Sequence, residues 1–255
     1  AASGMMSVTG FPDGPPLKAG ATVVDIAGGT HLYAGIVTAL YERERTGVGR
    51  LVEVSMQECV YPMLATNLGA YYNSGGKVPQ RTGNLHGGLA LVPHNVYPAK
   101  DGYVALQCVI ENHWTQLLHA MGREDLTDDP RFATNAARCR NQAVTDALVT
   151  EWTTQHGKLE IFEITRRHRI PCAAVRDVVE VMNDPHMHER GALEWIDHPE
   201  LGRIVVPATP QRLHGAPIVP TVPSPGLGEH NAEIYGGWLG LSMAEIADLK
   251  RDGVI

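Results

Sequence analysis

Positive charge is the first scarcity. The 255-residue chain carries 21 Lys and Arg against 28 Asp and Glu, for a formal net charge of −7 and a pI near 5.9. A nucleic-acid partner needs clustered cations to neutralise phosphates, and none is expected here. The one basic run, Arg166-Arg167-His168-Arg169, closes a helical pattern, where cations offset the helix dipole. Cysteine is scarce too. Cys59, Cys108, Cys139 and Cys172 are scattered without a CxxC pair. That argues against a zinc cluster or a secreted disulfide framework, and for a reducing, cytoplasmic location. Neither a signal peptide nor an apolar run able to span a bilayer is read, so no membrane partner is expected. Aromatics make up only 6% of the chain, whereas 27 Gly and 17 Pro predict many tight turns.

What is present suits a globular protein with a core. Apolar residues are 44% and charged residues 19% of the sequence, and the length fits one large domain or two smaller ones. The chain opens on Ala1-Ala2-Ser3-Gly4, with no initiator Met and no leading strand; an N-terminal portion is expected to precede it. Residues 1–20 read as Gly- and Pro-rich loop. Tyr33, Ile36, Val37, Leu40 and Tyr41 recur at helical spacing and predict a helix over 30–45, capped by Thr30 and stopped at Gly47. Leu51 to Met56 alternates like a strand, and an apolar helix over 57–72 follows, with Pro62 in its first turns. Residues 73–98 read as a glycine-bearing linker. Asp101-Gly102 predicts a turn before a strand over 103–109. Helices are expected near 113–121, 142–155 and 159–168, a strand at 204–206 and a last helix near 243–251.

Chemistry concentrates around Asp25. Val23-Val24-Asp25-Ile26-Ala27-Gly28-Gly29-Thr30 places a carboxylate after an apolar stretch and, on this reading, just ahead of a helix N-terminus. Helix amides and the positive dipole end stabilise an anion there, and Gly28 and Gly29 allow a ligand close to the backbone. The plainer alternative is that Asp25 caps the loop. Met56, at the end of the alternating stretch, reads first as core packing. His31, six residues after Asp25, reads as a surface or core histidine, and His186 and His188 form an HxH pair with no third ligand at a metal spacing.

The order of motifs goes further. Ser3-Gly4-Met5-Met6-Ser7-Val8-Thr9-Gly10, Asp13-Gly14-Pro15-Pro16, Asp25 with Gly29, Arg45-Thr46-Gly47-Val48-Gly49-Arg50 and Val52-Glu53-Val54-Ser55-Met56 together resemble the active-site stretch of class III CoA-transferases. Arg81-Thr82-Gly83-Asn84-Leu85-His86-Gly87-Gly88 resembles that family's glycine-rich loop, and Gly228-Glu229-His230 its C-terminal signature. The resemblance implies a two-lobed α/β fold with an incomplete large lobe. Residues 1–70 would be a large-lobe segment holding the catalytic Asp. Residues 71–190 would be linker and small α/β domain, and residues 191–255 a return to the large lobe. It also implies an interlocked homodimer.

The same resemblance implies the chemistry. Asp25 is the expected nucleophile, Gly87 and Gly88 a lid over it, and Gly28, Gly29, Met56 and His86 substrate contacts. Coenzyme A and its acyl thioesters are substrates, a carboxylic acid is the acceptor, and no resident cofactor or metal is implied. Gly28 and Gly29 are expected to supply oxyanion donors. Two alternatives stand beside this: a CoA-thioester racemase or epimerase of the same superfamily, and a non-catalytic dimerisation fragment.

Overall fold

The computed structural model describes residues 1–77, 79–217 and 219–255. It forms two compact units, Ala1–Val175 and Arg176–Ile255.

In the first unit, a single turn of helix, α1 (Met5–Val8), precedes the long α2 (Val23–Thr46). After an extended stretch come α3 (Met56–Val60), a 3-10 turn over Tyr61–Leu64 and α4 (Ala65–Ser74). Pro62 accounts for the break, because it lacks the amide hydrogen that a continuous helix needs. The remainder is a three-stranded antiparallel sheet in the order β1 (His94–Ala99), β2 (Gly102–Gln107), β3 (Cys172–Ala174). Four helices accompany it: α5 (Glu111–Met121), α6 (Asn135–Arg140), α7 (Gln142–Thr153) and α8 (Lys158–Arg167).

The register explains which sheet face is covered. Tyr97 lies opposite Val104, and Asn95 opposite Leu106. Tyr97, Val104 and Leu106 pack into a buried cluster with Trp114, Leu117 and Leu118 of α5, Val149 and Trp152 of α7, and Ile161 of α8. Fully burying each such side chain contributes roughly 1.5–3 kcal/mol. Polar stitches fix the layers. The Tyr97 hydroxyl donates to Asp146 Oδ1 at 2.5 Å, and Asn95 Nδ2 donates to Asp146 Oδ2 at 3.3 Å, tying β1 to α7. Asp101, in the β1–β2 turn, accepts the Lys158 N–H at 2.6 Å and so holds the start of α8.

One charge is fully buried here. Arg138 is 1% exposed. Its Nε donates to the Val92 carbonyl, its Nη1 to the Phe132 carbonyl and its Nη2 to Glu111 Oε2, each at 2.8 Å. The guanidinium also lies 5.0 Å from the Trp114 ring centroid, a cation–π distance.

In the second unit, two short helices, α9 (Val178–Met182) and α10 (Pro185–Glu189), precede the hairpin β4 (Leu193–His198) and β5 (Gly202–Pro207). A π-helical segment, Ala232–Trp238, leads to α11 (Met243–Arg251), whose Ser242 cap and Glu245 form a reciprocal capping box. Trp195 of β4 stacks on His188 at 5.6 Å and lies under the Arg203 guanidinium at 4.7 Å.

Several expectations need correction. α2 starts at Val23, not at 30, and Thr30 is no cap: its hydroxyl donates back to the Ile26 carbonyl at 2.8 Å. Glycine lowers helix propensity by about 1 kcal/mol, which is why Gly28-Gly29 read as a loop. With that start, α2 becomes long and apolar enough to cross a membrane by length and composition, the one such helix among the described residues. Core helices of globular proteins share those properties, and α2 is packed by the following segment, as shown below. Residues 51–55 are extended but form no strand; they lie along α2 and have no strand partner among the described residues. β1 lies at the end of the segment expected to be a glycine-bearing linker; it is an edge strand, which tolerates its Pro98. β4 was likewise missed.

Arg138→Ala should destabilise the first unit by about 2–5 kcal/mol, because it leaves a cavity and unpairs the Val92 and Phe132 carbonyls, as read by urea unfolding. The pH dependence has a defined sign. Burial pushes the Glu111 carboxyl up, but the Asn135 N–H and the Arg138 guanidinium hold it below its ordinary 4.5. A lowered folded value stabilises above pH 4.5, and that contribution is lost as pH falls through the lower folded value. Glu111→Gln should therefore show a shallower loss of stability on acidification than the parent; equal slopes would contradict this.

Candidate functional site

Asp25 occupies the third position of α2, inside its first turn. It is exposed, and among the described residues its carboxylate has no hydrogen-bond or ion-pair partner. The positive end of the helix dipole favours an anion there, yet nothing among the described residues consumes its lone pairs.

Gly28 and Gly29 follow within the helix. Their N–H groups therefore point to carbonyls one turn back and are unavailable as oxyanion donors, contrary to the sequence expectation. The two glycines differ. Gly28 is buried, and a Cβ there would meet Met56 Cγ at 3.0 Å; Gly29 is exposed, with nothing within 4 Å of such a Cβ. Two turns on, a Cβ at Gly35 would meet Val52 Cγ1 at 2.9 Å. Seven helical residues rise about 10 Å, close to the span of the extended segment from Val52 to Met56. Gly28 and Gly35 thus form a smooth strip on which residues 52–56 lie. That packing places Met56 beside the turn that carries Asp25.

On the opposite side of this turn, Val23, Ile26, Ala27, Thr30, His31 and Met63 line an apolar cavity of about 510 Å³. Asp25 is not in the lining, since it lies roughly half a turn away around the helix. His31 does not face Asp25: its Nδ1–H donates to the Ala27 carbonyl at 2.8 Å.

The glycine loop forms a second group. Its entry is tied to the N-terminal segment. Arg81 donates to the Phe11 and Gly14 carbonyls at 3.2 and 2.9 Å, and the Gly83 N–H donates to the Gly10 carbonyl at 3.0 Å. Gly83 must be glycine: its φ is +63°, and a Cβ would meet the Phe11 ring at 2.8 Å. Gly87 lies against Asn67, and Gly88 against Ala70 of α4. His86 organises the bend. Its Nδ1 accepts the N–H of Gly88 at 3.2 Å and of Ala90 at 3.4 Å, while its carbonyl accepts the Leu89 N–H at 2.8 Å. Both contacts are N–H donors, so Nδ1 carries a lone pair and the ring proton sits on Nε2. The loop amides of Leu85, Gly88, Leu89 and Ala90 are bonded; among the described residues, those of His86 and Gly87 are not.

The structure thus joins Asp25, Gly28 and Gly29 of α2 with Met56 at the start of α3, and His86, Gly87 and Gly88 beside α4. No hydrogen bond or ring contact links the two groups among the described residues. Sequence reasoning missed His94. Its ring meets His86 edge-on at 5.2 Å, its Nδ1 is buried and has no partner among the described residues, and burial lowers its pKa. Only its position at the head of an unrecognised strand could have flagged it. The HxH pair is accounted for in part: His188 Nε2 donates to the Met182 carbonyl at 2.8 Å.

Comparison with known proteins decides the lineage. The model of CoA-transferase family III matches residues 1–231. The chain belongs to that family. It is 38% identical over 274 residues to a formyl-CoA:oxalate CoA-transferase of Streptomyces avermitilis, covering all of this chain and 65% of that protein. It is 32% identical to a succinyl-CoA–D-citramalate CoA-transferase of Chloroflexus aurantiacus, covering 100% of this chain and 63% of the relative. The family III chain therefore spans a little under two thirds of the length of these relatives. A solved CAIB/BAIF family protein of Brucella suis superposes with a TM-score of 0.74 at 32% identity, covering 92% of this chain and 60% of that one. The fold is the α/β fold of class III CoA-transferases.

Gly28→Val should cost about 1–3 kcal/mol through crowding against Met56. Adding Met56→Ala should recover most of that loss in urea unfolding. Strictly additive losses would place Met56 elsewhere.

Proposed function

We propose that this chain is the catalytic-aspartate portion of an enzyme that moves coenzyme A from an acyl-CoA thioester to a carboxylic acid, with Asp25 as nucleophile. The observation that carries the reading is the Asp25 carboxylate: exposed, in the first turn of α2, and without a partner among the described residues. Membership of CoA-transferase family III supports it.

The steps balance without a redox partner. An Asp25 oxygen attacks the thioester carbonyl; the C–S bond breaks, CoA thiolate leaves and a mixed anhydride remains. The thiolate attacks the aspartyl carbonyl, expels the donor carboxylate and forms an aspartyl-CoA thioester. The acceptor carboxylate attacks that carbonyl and releases the thiolate, giving a second anhydride. The thiolate then takes the acceptor acyl group and frees Asp25. Developing oxyanions call for preorganised donors, and the amides of His86 and Gly87, unbonded among the described residues, are the group we assign, with Gly87 and Gly88 closing over the anhydride to exclude water. Gly29, open beside Asp25, and Met56 would border the thioester. His86 does not suit the acid–base role that a racemase needs, because its Nδ1 lone pair is held by the loop.

Coenzyme A is a substrate in this scheme, and no resident cofactor is invoked. An interlocked homodimer, a cytoplasmic location and the division into lobe segments 1–70, 71–190 and 191–255 belong to the same proposal. The exposed apolar side chains of α2, Tyr33, Ile36, Val37, Leu40 and Tyr41, support a further protein surface over that helix.

The test is acid-quench mass spectrometry with formyl-CoA or succinyl-CoA as donor and oxalate, citramalate or mesaconate as acceptor. The expected result is a CoA adduct on the peptide containing Asp25. Asp25→Asn, which keeps shape and removes the nucleophile, should lower transfer by at least about a thousandfold, of the order seen on removing a nucleophile. Near-normal transfer by folded Asp25→Asn would end the assignment.

A further inference from the structure

We infer that Asn135 is a positioning residue for the glycine loop; this rests on the transferase reading above. The loop leaves its bend through Ala90, Leu91 and Val92, which belong to no strand, yet the backbone N–H and C=O groups of Ala90 and Val92 are all matched. Asn135 Nδ2 donates to the Ala90 carbonyl at 2.8 Å, and its Oδ1 accepts the Val92 N–H at 3.1 Å. Ala90 and Val92 are two residues apart, so one side-chain amide grips one edge of the extended segment as a neighbouring strand would. The two contacts also fix the amide's orientation, because a carbonyl needs the NH₂ end and an N–H needs the oxygen.

Asn135 is itself held. It opens α6, where the Thr134 hydroxyl caps the helix by accepting the Ala137 N–H at 3.1 Å. Its own N–H donates to Glu111 Oε1 at 2.8 Å. The other Glu111 oxygen accepts from Arg138, and Arg138 returns to the Val92 carbonyl. Val92, Asn135, Glu111 and Arg138 thus form a closed circuit of hydrogen bonds, with Arg138 buried and Glu111 half-open to solvent. At the other end, His86 holds the amides of Gly88 and Ala90. Ala90 is gripped from both sides: its N–H by His86 and its carbonyl by Asn135. In the bend held this way, the N–H groups of His86 and Gly87 have no partner among the described residues. A donor is preorganised only if its backbone cannot relax away. Asn135 supplies that restraint without touching the reacting atoms.

The experiment uses the full 255-residue chain and two variants. Asn135→Ala removes both contacts; Asn135→Asp keeps the acceptor for Val92 and removes the donor to Ala90. Hydrogen exchange of a peptide covering residues 84–92, read by mass spectrometry, should rise about tenfold in Asn135→Ala, the factor that loss of one hydrogen bond corresponds to. Asn135→Asp should shift in the same direction. With whichever donor–acceptor pair turns over, kcat for transfer should fall with KM for the acyl-CoA little changed, and the ratio of thioester hydrolysis to transfer should rise about tenfold. A residue that only stabilises the fold would lower the amount of active protein and leave that ratio alone. Unchanged exchange in Asn135→Ala overturns the inference, as does faster exchange with an unchanged ratio. If Asn135→Ala fails to fold, Asn135→Asp is judged by the same two readouts. A parent chain without transfer would strike the transferase reading only, since loop exchange then judges the clamp.

Discussion

The first unit depends on one buried cation. Taking a guanidinium out of water costs several kcal/mol unless its donors are met, and Arg138 meets them with two backbone carbonyls and a carboxylate. Those partners lie far apart in sequence: Val92 leaves the glycine loop, Glu111 begins α5, and Phe132 precedes α6. No apolar side chain in that position could satisfy both carbonyls. The charge therefore does more than fill space: it sets the distance between the loop, the first turn of α5 and the start of α6. Its cation–π contact with Trp114, itself in the core, couples this polar junction to the hydrophobic cluster behind the sheet.

A second constraint works by absence of side chains. α2 contains Gly28, Gly29 and Gly35, each of which weakens a helix. Two of the three have a packing reason, because Met56 and Val52 lie where their Cβ atoms would be. The helix is thus weakened in order to admit the segment 52–56. The consequence falls on the site: the first turn of α2, with Asp25, is braced on one side by Met56 while the carboxylate stays open. Gly29 has no such neighbour among the described residues, which is consistent with the close ligand approach proposed there.

Legibility followed the kind of information each feature needs. The helices at 113–121, 142–155 and 159–168 were readable because apolar spacing and a local stop suffice for an amphipathic helix. α11 was readable from Ser242, Glu245 and the basic last turn. β1 and β4 were not, since a strand's identity lies in its partner, and Pro98 masks one of them. The start of α2 was misplaced because glycine propensity is a local signal, while the reason for Gly28 lies near residue 56. The chemistry-bearing motifs were legible as an ordered series, because resemblance reads order without geometry. His94, Asn135 and Arg138 were invisible for the converse reason: each is a single polar residue whose meaning comes from residues dozens of positions away.

The two polar holds on the glycine loop differ in a way that bears on how the loop works. His86 grips by a neutral lone pair that local sequence supplies, two and four residues from its targets. Asn135 grips from a different helix, through a carboxylate that must be ionised to hold both Asn135 and Arg138. A local bend survives small shifts of the surrounding helices; a long-range clamp does not. The bend therefore fixes the shape of residues 86–90, and the clamp fixes where that shape sits on the small sheet. Movement of the loop as a unit would leave the His86 contacts intact and break those at Ala90 and Val92, so any opening motion hinges at the Asn135 end.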